Sequence, residues 1–204
     1  MDTLTKELTV SEAALHRVSI RKFTDRALPE DEIREILRLA GTAPSAWNVQ
    51  PWRVHAVTDF QHRQDLMAAA FGQPQVGSAP VVFVVSSDME DAIARAEDFI
   101  HPGMADTAEK TLATIRNTFG KMSIEDRAAW GNHQTNIFLG FLMLVAEARG
   151  WSSSPMLGFD PGKVRTLLGI PSHSTIAALL AVGERAEDGF PQYRHSVDRF
   201  TTFV

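Results

Sequence analysis

Apolar positions recur at helical spacing along much of the chain. Between residues 28 and 40, Pro29 and the acidic run Glu30, Asp31 and Glu32 precede Ile33, Ile36, Leu37 and Ala40, with Gly41 behind them. Negative charge in a first turn complements the helix dipole, so the spacing predicts a surface helix with one buried side. Residues 4–18 carry Leu4, Leu8, Ala14, Leu15 and Val18 more loosely, with Ser11 and Glu12 as a restart and an end near His16. Helical patterns also cover 60–71, 90–101, 106–119 and 161–168. The longest covers 124–149, opens on a capping-box-like Ser123 to Asp126 and closes at Gly150. Its middle, NIFLGFLMLVAEA, is apolar nearly all round, which suits the centre of a domain or a subunit interface.

Strands show two other rhythms. Residues 52–57 alternate, whereas VVFVVSS after Pro80 is an unbroken β-branched run, the pattern of a central strand buried on both faces. Shorter strands fit 152–156 and 175–182. Two prolines, Ser45 and Asn48 make 44–52 an irregular loop up to the start of the alternating strand. The tail from Glu184 has no helical period yet keeps Phe190, Tyr193, Phe200 and Phe203. Such a tail needs a surface to cover, and a neighbouring subunit is expected to supply it, with its own domain as the alternative. No repeat or linker interrupts the pattern, so one α+β domain over 1–204 is the simplest account.

Composition narrows the chemistry. The 204 residues are 44% hydrophobic and 22% charged, and none is Cys. Thiolate nucleophiles, disulfides and Cys-ligated clusters are excluded, so redox chemistry requires a bound cofactor. A net charge of −5 provides no overall basic field for nucleic acid or a membrane surface. The longest apolar stretch, 137–146, is about half a bilayer span, and MDTLTKELTV lacks the order of a signal peptide, so a cytoplasmic protein is expected. No Rossmann, P-loop, zincin or nucleophile-elbow motif occurs. The seven His are scattered singly, without metal-ligand spacing.

Three segments remain as candidates. In H-R-V-S-I-R-K-F, an extended backbone would put Arg17, Ser19 and Arg21 on one side and Val18 and Ile20 on the other. Two guanidinium forks and a hydroxyl suit a phosphate monoester; a solvated strand edge would look the same. The loop P-S-A-W-N-V-Q-P-W sets hydroxyl, amide and indole donors among rigid prolines, a composition that suits a heteroaromatic ligand. In P-M-L-G-F-D, a strand ends and Gly158 permits close backbone approach.

These segments, with Q-P-Q-V-G-S-A-P-V-V and G-F-D-P-G-K-V-R-T-L-L-G-I-P, occur in an order that resembles the FMN-dependent nitroreductase family, from about residue 15 to 194. The resemblance implies a homodimer with FMN at the subunit interface, on a mixed, mainly antiparallel sheet flanked by helices, with the tail packing on the partner. Arg17 and Ser19 would hold the FMN phosphate, Arg194 would add a guanidinium there, and Arg21 would sit near the pyrimidine side. Ser45, Ala46, Trp47 and Asn48 would reach the flavin from the other subunit. The backbone of Leu157 and Gly158 would face flavin N5, with Pro155 and Met156 covering the ring. Gln75 and Gln192 stand where some members carry Lys, which reduces positive charge near the cofactor. A lid is expected within 89–123. The implied activity is NAD(P)H oxidation with ping-pong hydride transfer to nitroaromatics, quinones or similar small acceptors. An unsaturated-aldehyde reductase, a dehalogenase, a flavin-consuming enzyme and a non-catalytic FMN carrier are the alternatives.

Overall fold

The computed structural model describes residues 7–204. The helices and strands run in the order α1 Val10–His16, α2 Glu30–Ala40, β1 Trp52–Val57, α3 Phe60–Ala69, α4 Pro74–Ser78, β2 Val81–Ser87, α5 Met89–Ala94, α6 Ala108–Gly120, α7 Ile124–Ala148, β3 Ser152–Met156, α8 Pro161–Leu168 and β4 Thr175–Gly183. The strands form one sheet in the order β1-β2-β4-β3, and each neighbouring pair is antiparallel. A parallel component comes from outside these strands, as a bridge between Ser19 and Ser153.

Helices cover both faces of the sheet. On one face α2 and α7 bury Ile33, Ile36, Phe138 and Leu142 against Val81, Phe83, Val85 and Leu180. On the other, α3, α4 and α8 bury Leu66, Val76 and Val164 against Val82, Val84, Leu179 and Ala181. The unbroken run in β2 follows from this arrangement, because both sets of its alternating side chains meet a core. A third cluster joins Val49 to Met89, Phe99, Ile115 and Phe119, so the 89–123 segment packs on the loop before β1.

Several boundaries differ from the sequence pattern. Leu4 lies outside the described residues. The cap of α1 is Thr9, whose hydroxyl accepts from Glu12 N–H while Glu12 accepts from Thr9 N–H at 2.7 Å. Ser11 and Glu12 therefore lie inside the first turn and are no restart. The helix expected over 90–101 stops at Ala94, and a separate 3-10 turn follows at Ala96–Phe99. A second such turn, Pro102–Thr107, delays α6 until Ala108. The third helix ends at Ala69, before Phe71 at φ 56°.

The long helix α7 matches its pattern. Ser123 Oγ accepts from Asp126 N–H at 3.0 Å, and Gly150 at φ 84° turns the chain into β3. Only part of α7 is covered, since Ile137 and Phe141 remain exposed. Among the described residues no helix is long and apolar enough to cross a membrane.

Candidate functional site

Residues 17–24 run extended beside the first part of the tail. Thr24 N–H donates to the Glu184 carbonyl, Ala186 N–H to that of Lys22, and Arg21 N–H to the Glu187 carboxylate at 2.8 Å. Gly189 turns the chain at φ 71°, and a Cβ there would press on Val18 and Ile20 at 3.0 Å. The tail then returns to α1, where the Gln192 amide donates to the carbonyls of Ala14 and Arg17 at 2.8 Å each.

This fold-back encloses a hollow of about 190 Å³ lined by Arg17, Ser19, Arg21, Gln192 and Arg194. Ile20 is fully buried while Arg21 is exposed, in keeping with the predicted alternation. Among the described residues none of the three arginines belongs to an ion pair, and Arg17 Nη1 is buried without a hydrogen-bond partner. A buried, unpartnered guanidinium nitrogen is costly unless an acceptor arrives, and an oxyanion is the natural acceptor. The hollow suits a phosphate group and is smaller than the 300–1,000 Å³ or so of a whole organic ligand site.

One residue before Arg17, His16 reaches a buried acid. Glu147, 2% exposed, accepts from His16 Nδ1 and Arg185 Nη2 at 2.6 Å each, and Arg185 Nε donates to Ser152 Oγ at 2.8 Å. This ties α1, α7 and β3 together directly before Arg17. His16 stood in the candidate segment only as its first basic residue, and Glu147 did not stand out at all, because their partners lie far away along the chain.

The strand β3 carries the site onward. Ile20 N–H donates to the Ser153 carbonyl at 3.1 Å, so β3 starts beside the hollow. From Ser153 to Met156 it advances roughly 10 Å at about 3.3 Å per residue. Leu157 and Gly158 are exposed at its end, and Gln73 Nε2 donates to the Gly158 carbonyl at 2.7 Å. Met156 turns its side chain inward, where its sulfur accepts from the buried Gln75 amide at 3.3 Å. Pro155 is half-buried beside it.

Ser45, Ala46, Trp47 and Asn48 stand elsewhere. Trp47, Asn48 and Gln50 hold φ of 53°, 59° and 44°, conformations costing about 1–3 kcal/mol each away from glycine. The loop is held by Ala46 N–H on Gln134 Oε1 at 3.0 Å, Gln50 N–H on Ser45 Oγ at 3.0 Å and Asn48 Nδ2 on the Phe99 carbonyl at 3.2 Å. Trp47 stacks on Trp130, near the start of α7, at 6.3 Å. Glu147, bonded to His16 next to Arg17, lies near the end of that helix, and from Trp130 to Glu147 it rises roughly 25 Å. One chain therefore keeps the loop and the hollow apart. Beside the loop, Arg53 and then Arg95 hold the Asp91 carboxyl below its usual range, which keeps this edge ion-paired.

The architecture and the site define a class: an α+β sheet protein with an arginine-lined hollow and a separate strained, aromatic loop. Residues 14–184 match the model of the Nitroreductase family, and the chain belongs to that family. A protein of Thermus thermophilus named NADH dehydrogenase is 46% identical over 200 residues, 98% of each chain. The structure of a nitroreductase-like protein from Streptococcus mutans superposes with a TM-score of 0.85 at 34% identity, over 94% of this chain and 96% of that one. A structure from Exiguobacterium sibiricum solved in complex with FMN has a TM-score of 0.88 over 99% of this chain and 100% of that one; at 23% identity it bears on the fold alone. The protein is an oxidoreductase of this family.

Proposed function

We propose that the protein is a homodimeric, FMN-dependent NAD(P)H oxidoreductase that passes hydride by a ping-pong route to nitroaromatics, quinones or similar small conjugated acceptors. One observation carries the reading: residues near both ends of the chain meet around a phosphate-sized hollow in which Arg17 Nη1 lacks a partner.

Arg17, Ser19 and Arg194 hold the phosphate by charge-assisted hydrogen bonds. Arg21, exposed at the rim, serves the pyrimidine side, where positive charge favours the electron-rich reduced ring. Leu157 and Gly158 present backbone to N5, and the Gln73 amide keeps Gly158 in place. Bound FMN supplies the hydride acceptance and donation that no side chain here provides. The nicotinamide and the acceptor take turns over the same ring.

The dimer follows from the separation along α7. A second copy related by a two-fold axis, lying against the exposed Ile137 and Phe141 face, brings its 45–48 loop towards the hollow of the first. The exposed Tyr193, Phe200 and Phe203 then cover the partner's surface.

The test is spectroscopic. Purified protein, or protein given FMN, is expected to be yellow and to bleach anaerobically with NADH or NADPH. A protein that ignores FMN defeats the proposal. Binding without faster reduction than free FMN favours the carrier, and a panel of acceptors on reduced enzyme separates the specialised activities.

A further inference from the structure

We infer that Phe119 and Trp130 are positioning residues through which the 89–123 segment sets the shape of the 45–50 loop, and thereby the flat acceptors that fit beside it. The acceptor half of this inference rests on the oxidoreductase reading above; the positioning half does not.

Three aromatic rings join three elements. Trp47 sits on the loop, Phe119 in the last turn of α6 and Trp130 in the second turn of α7. Trp47 meets Phe119 edge-on, with centroids 5.6 Å apart and an interplanar angle of 84°. It stacks on Trp130 at 23°, and Phe119 closes the triangle against Trp130 at 4.9 Å and 73°. Phe119 is 1% exposed, so no ligand reaches it directly, whereas Trp47 is 44% exposed. The most exposed ring, Trp47, is thus held by a buried Phe119 and a half-buried Trp130.

The loop needs this support. Three of its residues have positive φ without being glycine, and such backbone persists only where its surroundings enforce it. The polar restraints also reach the 89–123 segment, because Asn48 Nδ2 bonds the Phe99 carbonyl in the 3-10 turn Ala96–Phe99. Phe119 and Phe99 share one apolar cluster with Val49 of the loop. A shift of α6 therefore reaches Trp47 through packed rings, and a change of ring orientation alters the space beside it.

The experiment compares wild type with Phe119→Leu, which keeps most of the apolar volume but removes both edge-on contacts, and Phe119→Tyr, which keeps the ring. Hydrogen exchange on the full chain without FMN is read at Ala46, Asn48, Val49 and Gln50, whose amides are all hydrogen-bonded. Phe119→Leu is expected to speed exchange there by about tenfold, the scale of two lost aromatic contacts, with β2 and β4 amides unchanged. In FMN-loaded enzyme it is expected to raise KM for menadione about fivefold, with kcat held within about twofold. Phe119→Tyr, which keeps both ring contacts, is expected to lie closer to wild type than Phe119→Leu in both.

Unchanged loop exchange overturns the positioning role. Faster exchange throughout the sheet also overturns it, since that is general loosening. Faster loop exchange with unchanged KM overturns the link to acceptors. If wild-type protein takes up no FMN, the oxidoreductase reading and the acceptor link fall together, while the exchange data still decide the positioning role.

Discussion

The side-chain amide of Gln192 donates to the backbone carbonyl of Arg17 at 2.8 Å, and so fastens the tail to the end of the first helix. Its second bond, to Ala14, satisfies another carbonyl left open where α1 stops. Arg194 follows two residues later, so its place at the hollow depends on this latch. Gln192→Ala is expected to weaken FMN binding about five- to tenfold, the scale of one net hydrogen bond. Fluorescence titration of apoprotein measures it, and an unchanged Kd would separate the latch from the phosphate site.

Arg17 holds the most direct position. Its Nη1 is buried and unpartnered, so Arg17→Ala is expected to cost about 1.5–3 kcal/mol of FMN affinity. Calorimetric titration at two salt concentrations checks this. Affinity equal to wild type would remove Arg17 from the cradle.

Phe141 tests the assembly. It is exposed on a helix otherwise rich in apolar residues, and Phe141→Asp would place a charge at the proposed interface. The expected weakening of the dimer is about 3 kcal/mol, roughly a hundredfold in dissociation constant by sedimentation. Because Phe141 is 38% exposed in the single chain, monomer stability is expected to fall by less than the dimer does, by about 1 kcal/mol in urea unfolding.

Gly131 on α7 packs against Met89 at the start of α5. A Cβ there would overlap Met89 and stand 2.6 Å from Ser87 Oγ. Gly131→Ala is expected to destabilise by about 2 kcal/mol through overpacking, lowering Tm by about 4–8 °C in scanning calorimetry.

Glu32 predicts a pH dependence. Arg149 donates to both its oxygens at 2.7 Å, Trp151 Nε1 adds a third bond at 3.2 Å, and the Arg149 guanidinium in particular holds the carboxyl below its ordinary value of 4.5. The folded state therefore binds this proton less tightly than the unfolded chain does. The stabilisation is fully present above about pH 4.5 and is lost as pH falls through the lower, folded-state value. Glu32→Gln is expected to cost about 1.5 kcal/mol at pH 7 and to flatten the acid limb of the stability profile, measured by urea unfolding.

Much of the fold was legible because the signal was local. In α2 the acidic first turn and the 33, 36, 37, 40 spacing state both the helix and its buried side. In β2 five consecutive apolar residues state a strand covered on both faces. The misread places were those where a short element depends on distant support. The helix α4 spans only Pro74–Ser78 and contains a glycine, so its own propensity is weak and it forms against α3. The break after Ala94 lets Phe99 enter the cluster with Phe119, a gain that no local pattern records.

The site divides along the same line. Residue types and order along the chain were enough to identify Arg17, Ser19, Arg21, the 45–48 loop and Gly158 as candidates, since guanidinium, hydroxyl and glycine carry their chemistry wherever they stand. Only the tertiary structure showed the Gln192 latch that sets Arg194 at one hollow with Arg17, tied the acid Glu147 to His16 and Arg185, and placed the loop at the far end of α7. Those relations join residues far apart in the chain, and they arise from packing and hydrogen bonds that exist only once the chain has folded.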